Sequence, residues 1–428
     1  MPIRSGDDQV EGGDFRRAAV AGAAAVLLLL GGCTVPVDTS AAALAPSAPT
    51  PQEQGIADIV RKAMADQSLR AVIVKVTRGD QVVTSQAFGE SLDGVPATTD
   101  MRFRNGAVVF AYLGTLLLLF VEEGKAGLDD TIDRWMPELP ESGKVTLKML
   151  TNQTTGYPDF ETDPGWNAAF NADPFQSWTF ERRLKYAFSR PIQFPPGTNW
   201  SYAHTNFMIL GEILAKIGGR PLDVLLREKV MEPMGLRSTV GSQTGAVPEP
   251  ALHSYSSERR VALGVPPKTA FYEEATYWNS DWGTPVGANQ TSTIDDMATT
   301  AIAVGTGKLL SESSYRAMTE PNLLGFGHAQ ANCAPSCFKQ IVGYNYGLGV
   351  VRSGDWILQD PLVGGYSATE AFLPQEKVGI SVATTFLPGA FDCKGVYPNS
   401  SDTVFRLIGA YVAPDHAPPM PPPYKKAC

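Results

Sequence analysis

The sequence has no stripe of lysine or arginine residues, and its formal net charge is −9. Proteins that hold nucleic acid need clustered positive charge against the phosphates, so we predict no nucleic-acid partner. Histidine is also scarce, and none lies at zinc-ligand spacing from a cysteine. The four histidines are His204, His253, His328 and His416. We therefore predict no metal site and no cofactor.

The interior apolar stretch at residues 107–121 is too short to span a membrane. Its fifteen uncharged residues would form a helix of about 22 Å, against a hydrocarbon core of about 30 Å. Asn105 and Gly106 offer a helix start before this stretch, and Gly124 offers a stop after it. We predict a buried core helix here, around which the rest of the fold is organised.

The N-terminus has the pattern of a lipoprotein export signal. Arg16 and Arg17 precede an apolar run at residues 18–30, and the run ends in the lipoprotein cleavage box LGGC at 30–33. We predict a signal peptide over residues 1–32 and lipidation of Cys33, which would anchor the protein to the membrane of the bacterial cell envelope. A plain N-terminal membrane anchor fits less well, because the run is short and the cysteine lies at its end.

Composition divides the remaining chain into three parts. Residues 33–53 are rich in Pro, Ala, Ser and Thr with almost no charge, so they cannot bury enough apolar surface to fold, and we predict a tether. Residues 54–412 show no second linker, and we predict one domain of two lobes. Residues 413–428 are rich in proline, and we predict a disordered tail.

Four further cysteines suit an exported protein that forms disulfides. They are Cys333, Cys337, Cys393 and Cys428. Four cysteines allow two disulfides in three pairings, and the first two are close enough in sequence for a local bridge. The sequence leaves the pairing open.

Strand patterns gather at the two ends of the predicted domain. At the front, a helix pattern at 54–66 precedes a hairpin pattern of 71–76 and 81–88. At the back, a helix pattern at 401–412 follows four strand patterns, at 346–352, 356–359, 371–373 and 378–385. Residues 106–240 between them are mainly helical in pattern. We predict an α+β fold, in which an antiparallel sheet built from both chain ends is flanked by helices and carries an inserted all-α lobe.

Five segments along the chain carry a family resemblance. They read FRNGAVVF at 103–110, VTLKMLTNQTTGY at 145–157, FPPGTNWSYAHTNF at 194–207, STIDDMA at 292–298 and YGLG at 346–349. In order and spacing they resemble motifs of the serine β-lactamase and penicillin-binding-protein family, in particular its class C and esterase-like branch. The resemblance covers most of residues 54–412 and implies the β-lactamase/transpeptidase-like fold.

The resemblance also identifies what has been replaced in the core helix. In that family the helix start presents a nucleophilic serine, and a lysine one turn later takes its proton. This chain has Ala107 and Phe110 at those positions. Loss of the nucleophile alone costs about 10⁶ in kcat in subtilisin, whereas a buried ring at the base position can contribute roughly 2 to 3 kcal/mol to stability. We predict a structural helix in place of a catalytic one.

The second family motif is partly kept. Tyr202 matches a tyrosine that serves the family as base or proton relay, and His204 stands where the family has an amide. Two interpretations are open here. One is a reused polar pocket, and the other is an ordinary turn in which Tyr202 packs and His204 is solvated.

The third family motif, a Lys or His on the strand that edges the site, would fall within residues 359–368, which contain neither. Gly364, Gly365 and Tyr366 are predicted to line the cleft there, since glycines let a ligand approach the backbone. A tight turn before the next strand is the alternative. Without a cation on this strand, recognition of a substrate carboxylate in the usual family manner is not expected.

Three functional hypotheses follow from these motifs. The leading one is a catalytically inactive family member that acts as a cell-envelope binding or scaffold protein for a peptidoglycan fragment, a peptide or a protein. The alternative is a serine hydrolase, namely an esterase, amidase or peptidase, rewired around Ser201, Tyr202 and His204 or around the literal Ser-x-x-Lys of Ser336 and Lys339. We interpret that second pair as a chance match outside its structural context. In the third hypothesis the cleft is idle and the tether and surface act.

Overall fold

The computed structural model describes residues 48–242, 244–320 and 323–428. The predicted signal peptide, the lipidation site Cys33 and most of the predicted tether lie outside these residues. The first described helix begins at Pro51, earlier than the predicted residue 54. Thr50 caps it by accepting a hydrogen bond from the Glu53 backbone, and the Glu53 side chain accepts one in return. This capping box explains why residues assigned to the tether are helical.

The helices follow the predicted distribution, because those of the middle of the chain outnumber those of its ends. In the described residues they are α1 (Pro51–Gln67), α2 (Val108–Glu122), α3 (Leu147–Thr151), α4 (Pro164–Ala172), α5 (Phe180–Ala187), α6 (His204–Gly218), α7 (Leu222–Leu226), α8 (Glu232–Met234), α9 (Ile294–Gly305), α10 (Glu312–Thr319) and α11 (Ser400–Val412). The predicted terminal helix at 401–412 is confirmed as α11.

Strands gather toward the ends of the chain, as predicted. They are β1 (Leu69–Arg78), β2 (Gln81–Leu92), β3 (Val95–Pro96), β4 (Phe103–Arg104), β5 (Val240–Ser242), β6 (Tyr255–Ser256), β7 (Glu273–Glu274), β8 (Asn289–Ser292), β9 (Asn345–Tyr346), β10 (Val351–Ser353), β11 (Trp356–Gln359), β12 (Leu362–Val363), β13 (Tyr366–Leu373) and β14 (Val378–Phe386). The predicted hairpin is β1 with β2, each longer than its pattern.

One antiparallel sheet joins the two ends of the chain. Its order is β3-β2-β1-β14-β13-β11-β10-β9, and β12 pairs with β13 outside this path. The central pairing places β1 beside β14, with Val74 opposite Val382. Helices α1 and α11 pack on each other and on this sheet, and α9 packs on β1, β13 and β14. The predicted α+β architecture is therefore confirmed.

The core helix α2 is buried along nearly its whole length and packs against α6 and α10. It starts at Val108, directly after the predicted start signals, and Gly124 follows its end with φ of +68°. A left-handed conformation of this kind is the usual helix stop at glycine. None of the helices in the described ranges is long and apolar enough to cross a bilayer. The interpretation of α2 as a core element is confirmed.

The predicted strand at 346–352 is divided into β9 and β10. A turn separates them, in which the Gly347 N–H donates to the Val350 carbonyl at 2.8 Å. Gly349 adopts φ of +80°, and its Cα lies so close to the Phe110 carbonyl that a Cβ would collide with it. The close approach of α2 therefore breaks the strand at a position that requires glycine.

The tail at 413–428 is ordered against the domain, so the prediction of a disordered tail was wrong. Trp356 Nε1 donates to the His416 carbonyl at 2.7 Å, and the Tyr424 hydroxyl donates to the Val396 carbonyl at 3.0 Å. The four cysteines pair as Cys333 with Cys337 and Cys393 with Cys428. Proline-rich composition pointed to disorder, but specific hydrogen bonds and a covalent link at the last residue hold the tail.

The start of α9 provides a test of the fold. Asp296 is 5% exposed, and its Oδ2 accepts backbone hydrogen bonds from Arg237, Ser238 and Thr239 at 3.0, 2.7 and 2.6 Å. We expect Asp296→Ala to lower the free energy of unfolding by about 3 kcal/mol, because these buried donors lose a charged acceptor. Urea denaturation measures the change.

Asp295 is the matched control, since its side chain is 67% exposed and, among the described residues, has Lys75 as its ion-pair partner. Asp295→Ala should cost less than about 1 kcal/mol. Equal losses in the two variants would contradict the role assigned to Asp296.

Candidate functional site

A cavity of about 320 Å³ lies at the N-terminal end of α2. Three of the residues singled out from the sequence, Ala107, Tyr202 and His204, are in its wall. Trp282 and Asp360 also line it and were not singled out. The structure thus brings the first and second predicted motifs together at one concave site.

Gly106 sets how closely the helix start approaches the opposite wall. It has φ of +47°, and a Cβ added there would lie 2.7 Å from Cβ of Pro361. Ala107 follows as the N-cap of α2 and makes no side-chain capping hydrogen bond. The family serine position therefore faces the cavity, but only with a methyl group.

Phe110 fills the family lysine position with an apolar ring. Its side chain is fully buried and stacks on Phe207 of α6, with ring centroids 3.9 Å apart and an interplanar angle of 4°. The ring centroids of Tyr202 and His204 lie 6.3 and 6.1 Å away. The place of the general base is thus part of the core between α2 and α6.

His204 is the first residue of α6 and belongs to a buried ion cluster. Its Nδ1 lies 3.0 Å from Asp159 Oδ2 and 2.6 Å from Glu161 Oε1, and its side chain is 18% exposed. Asp159 also caps the short 3₁₀ turn Phe160–Thr162 by accepting from the Glu161 backbone. His204 is therefore not a solvated turn residue, although Tyr202 packs as the turn interpretation expected, and the reuse of this pocket stays a prediction.

Burial and charge attraction within this cluster shift two pKa values. Burial lowers the pKa of His204, but the attraction of Glu161 and Asp159 outweighs it and raises that pKa to about 10. Burial raises the pKa of Glu161 to about 7, against the opposing attraction of His204. His204 is therefore a cation near neutral pH, and a protonated imidazole cannot act as a general base.

Tyr202 is also unsuited to the role of base. Burial is the main cause that raises the pKa of its phenol well above the usual value, and neighbouring tyrosines and carboxylates add to the effect. Its ring packs against His204 and Tyr346, with centroids 5.1 and 6.2 Å away. A neutral phenol of this kind can hydrogen-bond a ligand, but it does not withdraw a proton near pH 7.

The rewired catalytic groups considered from the sequence are not assembled. Ser201 is buried, and its Oγ has no hydrogen-bond partner in the described part of the chain, while Nδ1 of His204 is held by carboxylates. Ser336 and Lys339 do not border the cavity, and Lys339 is exposed on the loop of the Cys333–Cys337 disulfide. Neither pair has the nucleophile–base contact that covalent catalysis requires.

The third wall of the cavity differs from the prediction. Residues 359–363 line the cavity, whereas the predicted Gly364, Gly365 and Tyr366 do not. The Gly365 N–H donates to the Tyr397 hydroxyl at 3.0 Å, and the Tyr366 hydroxyl donates to the Leu252 carbonyl at 2.6 Å. Gly365 and Tyr366 are therefore buried, Gly364 is half-buried, and the two glycines adopt φ of +52° and +76°.

Asp360 places a carboxyl group in the cavity wall between β11 and β12, within the segment 359–368 where the family cation was expected. Burial and the charge of Asp402 raise its pKa, although Arg406 opposes the shift. Arg406 forms two hydrogen bonds to Asp402 at 3.0 and 2.8 Å, so its charge is committed to that residue. With its pKa raised to about 8, Asp360 is largely protonated near pH 7, so this wall offers an acidic group and no free cation.

The residues that the sequence reasoning missed are Asp159, Glu161, Trp282 and Asp360. The first two stand at alternate positions of one loop, and only the fold brings them to His204, which is 45 and 43 positions later. Trp282 lies in a 3₁₀ turn, Asp281–Gly283, where no periodicity predicts burial. Asp360 lies within residues 359–368, where the family cation was expected, and its acidic side chain was the available signal in the sequence.

Asp159, Glu161 and His204 are also the residues that could hold a metal ion. One ligand atom from each lies within 4.8 Å of the others. The prediction of no metal site rested on sequence spacing and did not consider side chains that converge from separate elements. The imidazole Nδ1 is already shared between the two carboxylates, so we describe the group as an ion cluster.

Comparison with known proteins agrees with this geometry. The family model described as Beta-lactamase matches residues 56–398. A D-aminopeptidase of Gluconobacter oxydans (strain 621H) is 27% identical over 53% of this chain and 40% of its own length. Esterase EstB of Burkholderia gladioli is 24% identical over 41% of this chain and 48% of its own. The chain thus spans less than half of the length of these two relatives.

Solved structures show the same fold. The D-amino acid amidase from Ochrobactrum anthropi SV3, complexed with D-phenylalanine, superimposes with a TM-score of 0.69 at 21% identity. The superposition covers 85% of this chain and 99% of the amidase. The β-lactamase/transpeptidase-like fold implied by the sequence motifs is confirmed.

Substitutions at the start of α2 distinguish the packing role of Phe110 from the loss of the family's catalytic groups. We expect Phe110→Lys to lower the free energy of unfolding by about 4 kcal/mol, because an ammonium group would replace a buried stacked ring. Phe110→Leu should cost about 1 to 2 kcal/mol, and Ala107→Ser should stay within about 0.5 kcal/mol because that position borders the cavity. Urea denaturation of the three variants measures these values, and a neutral Phe110→Lys would contradict the packing role.

The ion cluster predicts an unusual titration. Because the folded-state pKa of His204 is raised to about 10, its stabilising contribution is present below about pH 6.5 and is lost as the pH rises toward 10. We expect the ring signals of His204 in NMR spectra to show a protonated imidazole at pH 8. Glu161→Gln should lower this pKa by at least about one unit, and Glu376→Gln, a remote change, should not. A midpoint near 6.5 in the wild type would contradict the cluster.

Proposed function

The chain belongs to the β-lactamase family of serine hydrolases, and on that premise we propose that it is a catalytically inactive member whose cleft binds a ligand at the bacterial cell envelope. The observation that supports inactivity most strongly is the pair Ala107 and Phe110 at the helix start. One position offers only a methyl group to the cavity, and the other is a ring stacked in the core. Acyl transfer in this family needs a nucleophile and a base at these positions.

Other polar groups of the cavity do not replace the lost pair. Ser280 lines the cavity, but its Oγ is hydrogen-bonded to Asn289 Oδ1 at 3.0 Å. An asparagine cannot remove the hydroxyl proton, and His204 is a cation tied to two carboxylates. A serine without a base is a weak nucleophile. This arrangement supports binding rather than turnover.

The cavity itself supports a binding role. A volume of about 320 Å³ is retained at the family site, within the range of small-ligand pockets. Tyr202, Ser280 and Asn289 offer polar groups along its wall. An idle cleft would be free to fill with larger side chains, since filled cores are the more stable ones. The third hypothesis, an idle cleft, therefore has less support.

Location at the envelope is supported by the sequence and by the cysteines. The LGGC box at 30–33 places a cysteine directly after an apolar run, which is the arrangement of a lipid-anchored protein. The other four cysteines form two disulfides, and such bonds persist in oxidising compartments. We propose a lipid anchor on Cys33 and a ligand of the envelope, either a peptidoglycan fragment, a peptide or a protein partner.

Covalent probes test the absence of catalysis. We expect the purified protein to give no labelling with a fluorescent penicillin or a fluorophosphonate and no turnover of short nitrophenyl esters, because the cleft has no activated nucleophile. Mass spectrometry of the intact protein measures labelling, and a catalytically active family member serves as the positive control. Labelling within the cleft, or turnover that one substitution abolishes, would support the rewired serine hydrolase instead.

Restoring the family pair should not restore activity. We expect the double variant Ala107→Ser, Phe110→Lys to remain far below ordinary family rates, because the third wall carries Asp360 instead of a cation. The same probes and esters measure this, with the folded state of the variant checked by circular dichroism. Recovery to ordinary rates would show that the third wall is competent.

A further inference from the structure

A second cavity of about 340 Å³ adjoins the one at the helix start. Trp282 and Leu362 border both cavities, so the two share a wall. Glu161 lines the second cavity and contacts His204, which lines the first. A ligand longer than the first cavity therefore has an adjoining space beside Trp282.

The second cavity is aromatic and acidic. Trp166 and Phe170 stack in its wall with ring centroids 5.3 Å apart, and Glu258 lies in the same lining. Glu258 Oε2 accepts a hydrogen bond from Ser256 at 2.7 Å and a longer one from Tyr397 at 3.5 Å. Within the described ranges, no Lys, Arg or His forms an ion pair with Glu258. Burial raises the pKa of Glu258, as expected for a carboxylate that has no cation beside it.

The other carboxylates of the two cavities are also in excess over cations. Asp159 and Glu161 share one imidazolium, that of His204. Asp360 lies in the first cavity, while the neighbouring Arg406 is paired with Asp402. Lys394 lines the second cavity but is exposed to solvent, where its charge is screened. Glu258 and Asp360 thus have no cation partner of their own in the described residues, and burial raises the pKa of both, that of Asp360 to about 8, so a cation bound beside them would favour their ionised form.

We propose that the cleft binds a ligand with a positively charged nitrogen, an ammonium or guanidinium group, that lies beside Glu258 and is attached to an apolar body packed along Trp282 and Leu362. This inference rests on the binding function proposed above and names its ligand class. A cation in this site pairs with carboxylates at low effective dielectric and meets aromatic faces. An anionic ligand would keep the same carboxyl groups in their neutral form and gain no ion pair, so a ligand that ends in a carboxylate should bind more weakly than a cationic one.

Three probes of one shape and different charge test the proposal. They are 4-phenylbutylamine, 4-phenylbutanol and 4-phenylbutyrate, measured by isothermal titration calorimetry at pH 7.5 and low salt. We expect the amine to bind at least about tenfold more tightly than the acid, with the alcohol between them. Added salt should weaken only the amine. Equal affinity for the amine and the acid, or no binding of the amine, would overturn the proposal.

The variant Glu258→Gln tests whether the positively charged nitrogen of the ligand lies beside Glu258. We expect the variant to bind the amine about tenfold more weakly and the alcohol unchanged, because only the charge of the side chain is removed. Asp58→Asn, on the exposed face of α1, is the control and should change neither. An unchanged amine affinity in Glu258→Gln would contradict the assigned position.

The ligand class can be tested even if the Glu258→Gln variant does not fold, and independently of the test for catalysis. If Glu258→Gln fails to fold, the comparison of amine with acid on the wild-type protein still decides the charge preference. The covalent probes decide inactivity separately, so a protein that turns over esters but prefers the amine would contradict the proposed function and not the ligand class. A protein that neither turns over esters nor prefers the amine would contradict only the ligand class.

Discussion

The stacking of Phe110 on Phe207 is the interaction on which the rest of the site depends. It joins α2 to α6, and these two helices carry Ala107 and His204 into the same cavity. A lysine at position 110 would have to keep an ammonium group in the core, at a desolvation cost that only a functional partner justifies. With an aromatic pair in its place, the two helices pack as ordinary core elements. The cavity remains because it lies beyond the helix starts, outside this packed seam.

The exchange at position 110 also changes the electrostatics of the cleft. A family site has a lysine on the helix, but here the cation nearest to Phe110 in the cavity wall is His204, whose ring centroid is 6.1 Å away. Two carboxylates hold that imidazole in its charged form and so use its charge internally. Asp360 adds an acidic group, largely protonated near pH 7, and no cation to the opposite wall. The fold keeps its cleft while the cleft loses the positive field that anionic substrates of such enzymes require.

Sequence reasoning succeeded where one physical signal dominates a segment. The uncharged run before Gly124 predicted α2, and alternating strand patterns at both chain ends predicted the sheet. It failed where distant residues meet. Asp159 and Glu161 have no local sequence feature that indicates contact with His204. The adjacent Gly364 and Gly365 were interpreted as a place where a ligand approaches the backbone, because the sequence shows only that they are neighbours. Gly365 instead packs against the Tyr255 backbone of β6, and both glycines have positive φ. Such contacts are tertiary and leave no mark in spacing.

The ordered C-terminal tail is a second case in which tertiary contacts could not be predicted from the local sequence. Composition alone favours disorder for a proline-rich segment, since it offers little apolar surface to bury. However, proline also loses less entropy on ordering than other residues, so a few specific contacts suffice to hold it. Arg406 provides one such contact, because its buried guanidinium binds Asp402, Ser353 and the Pro419 carbonyl of the tail. The charge of this guanidinium pairs with Asp402, while its Nη1 donates to the tail.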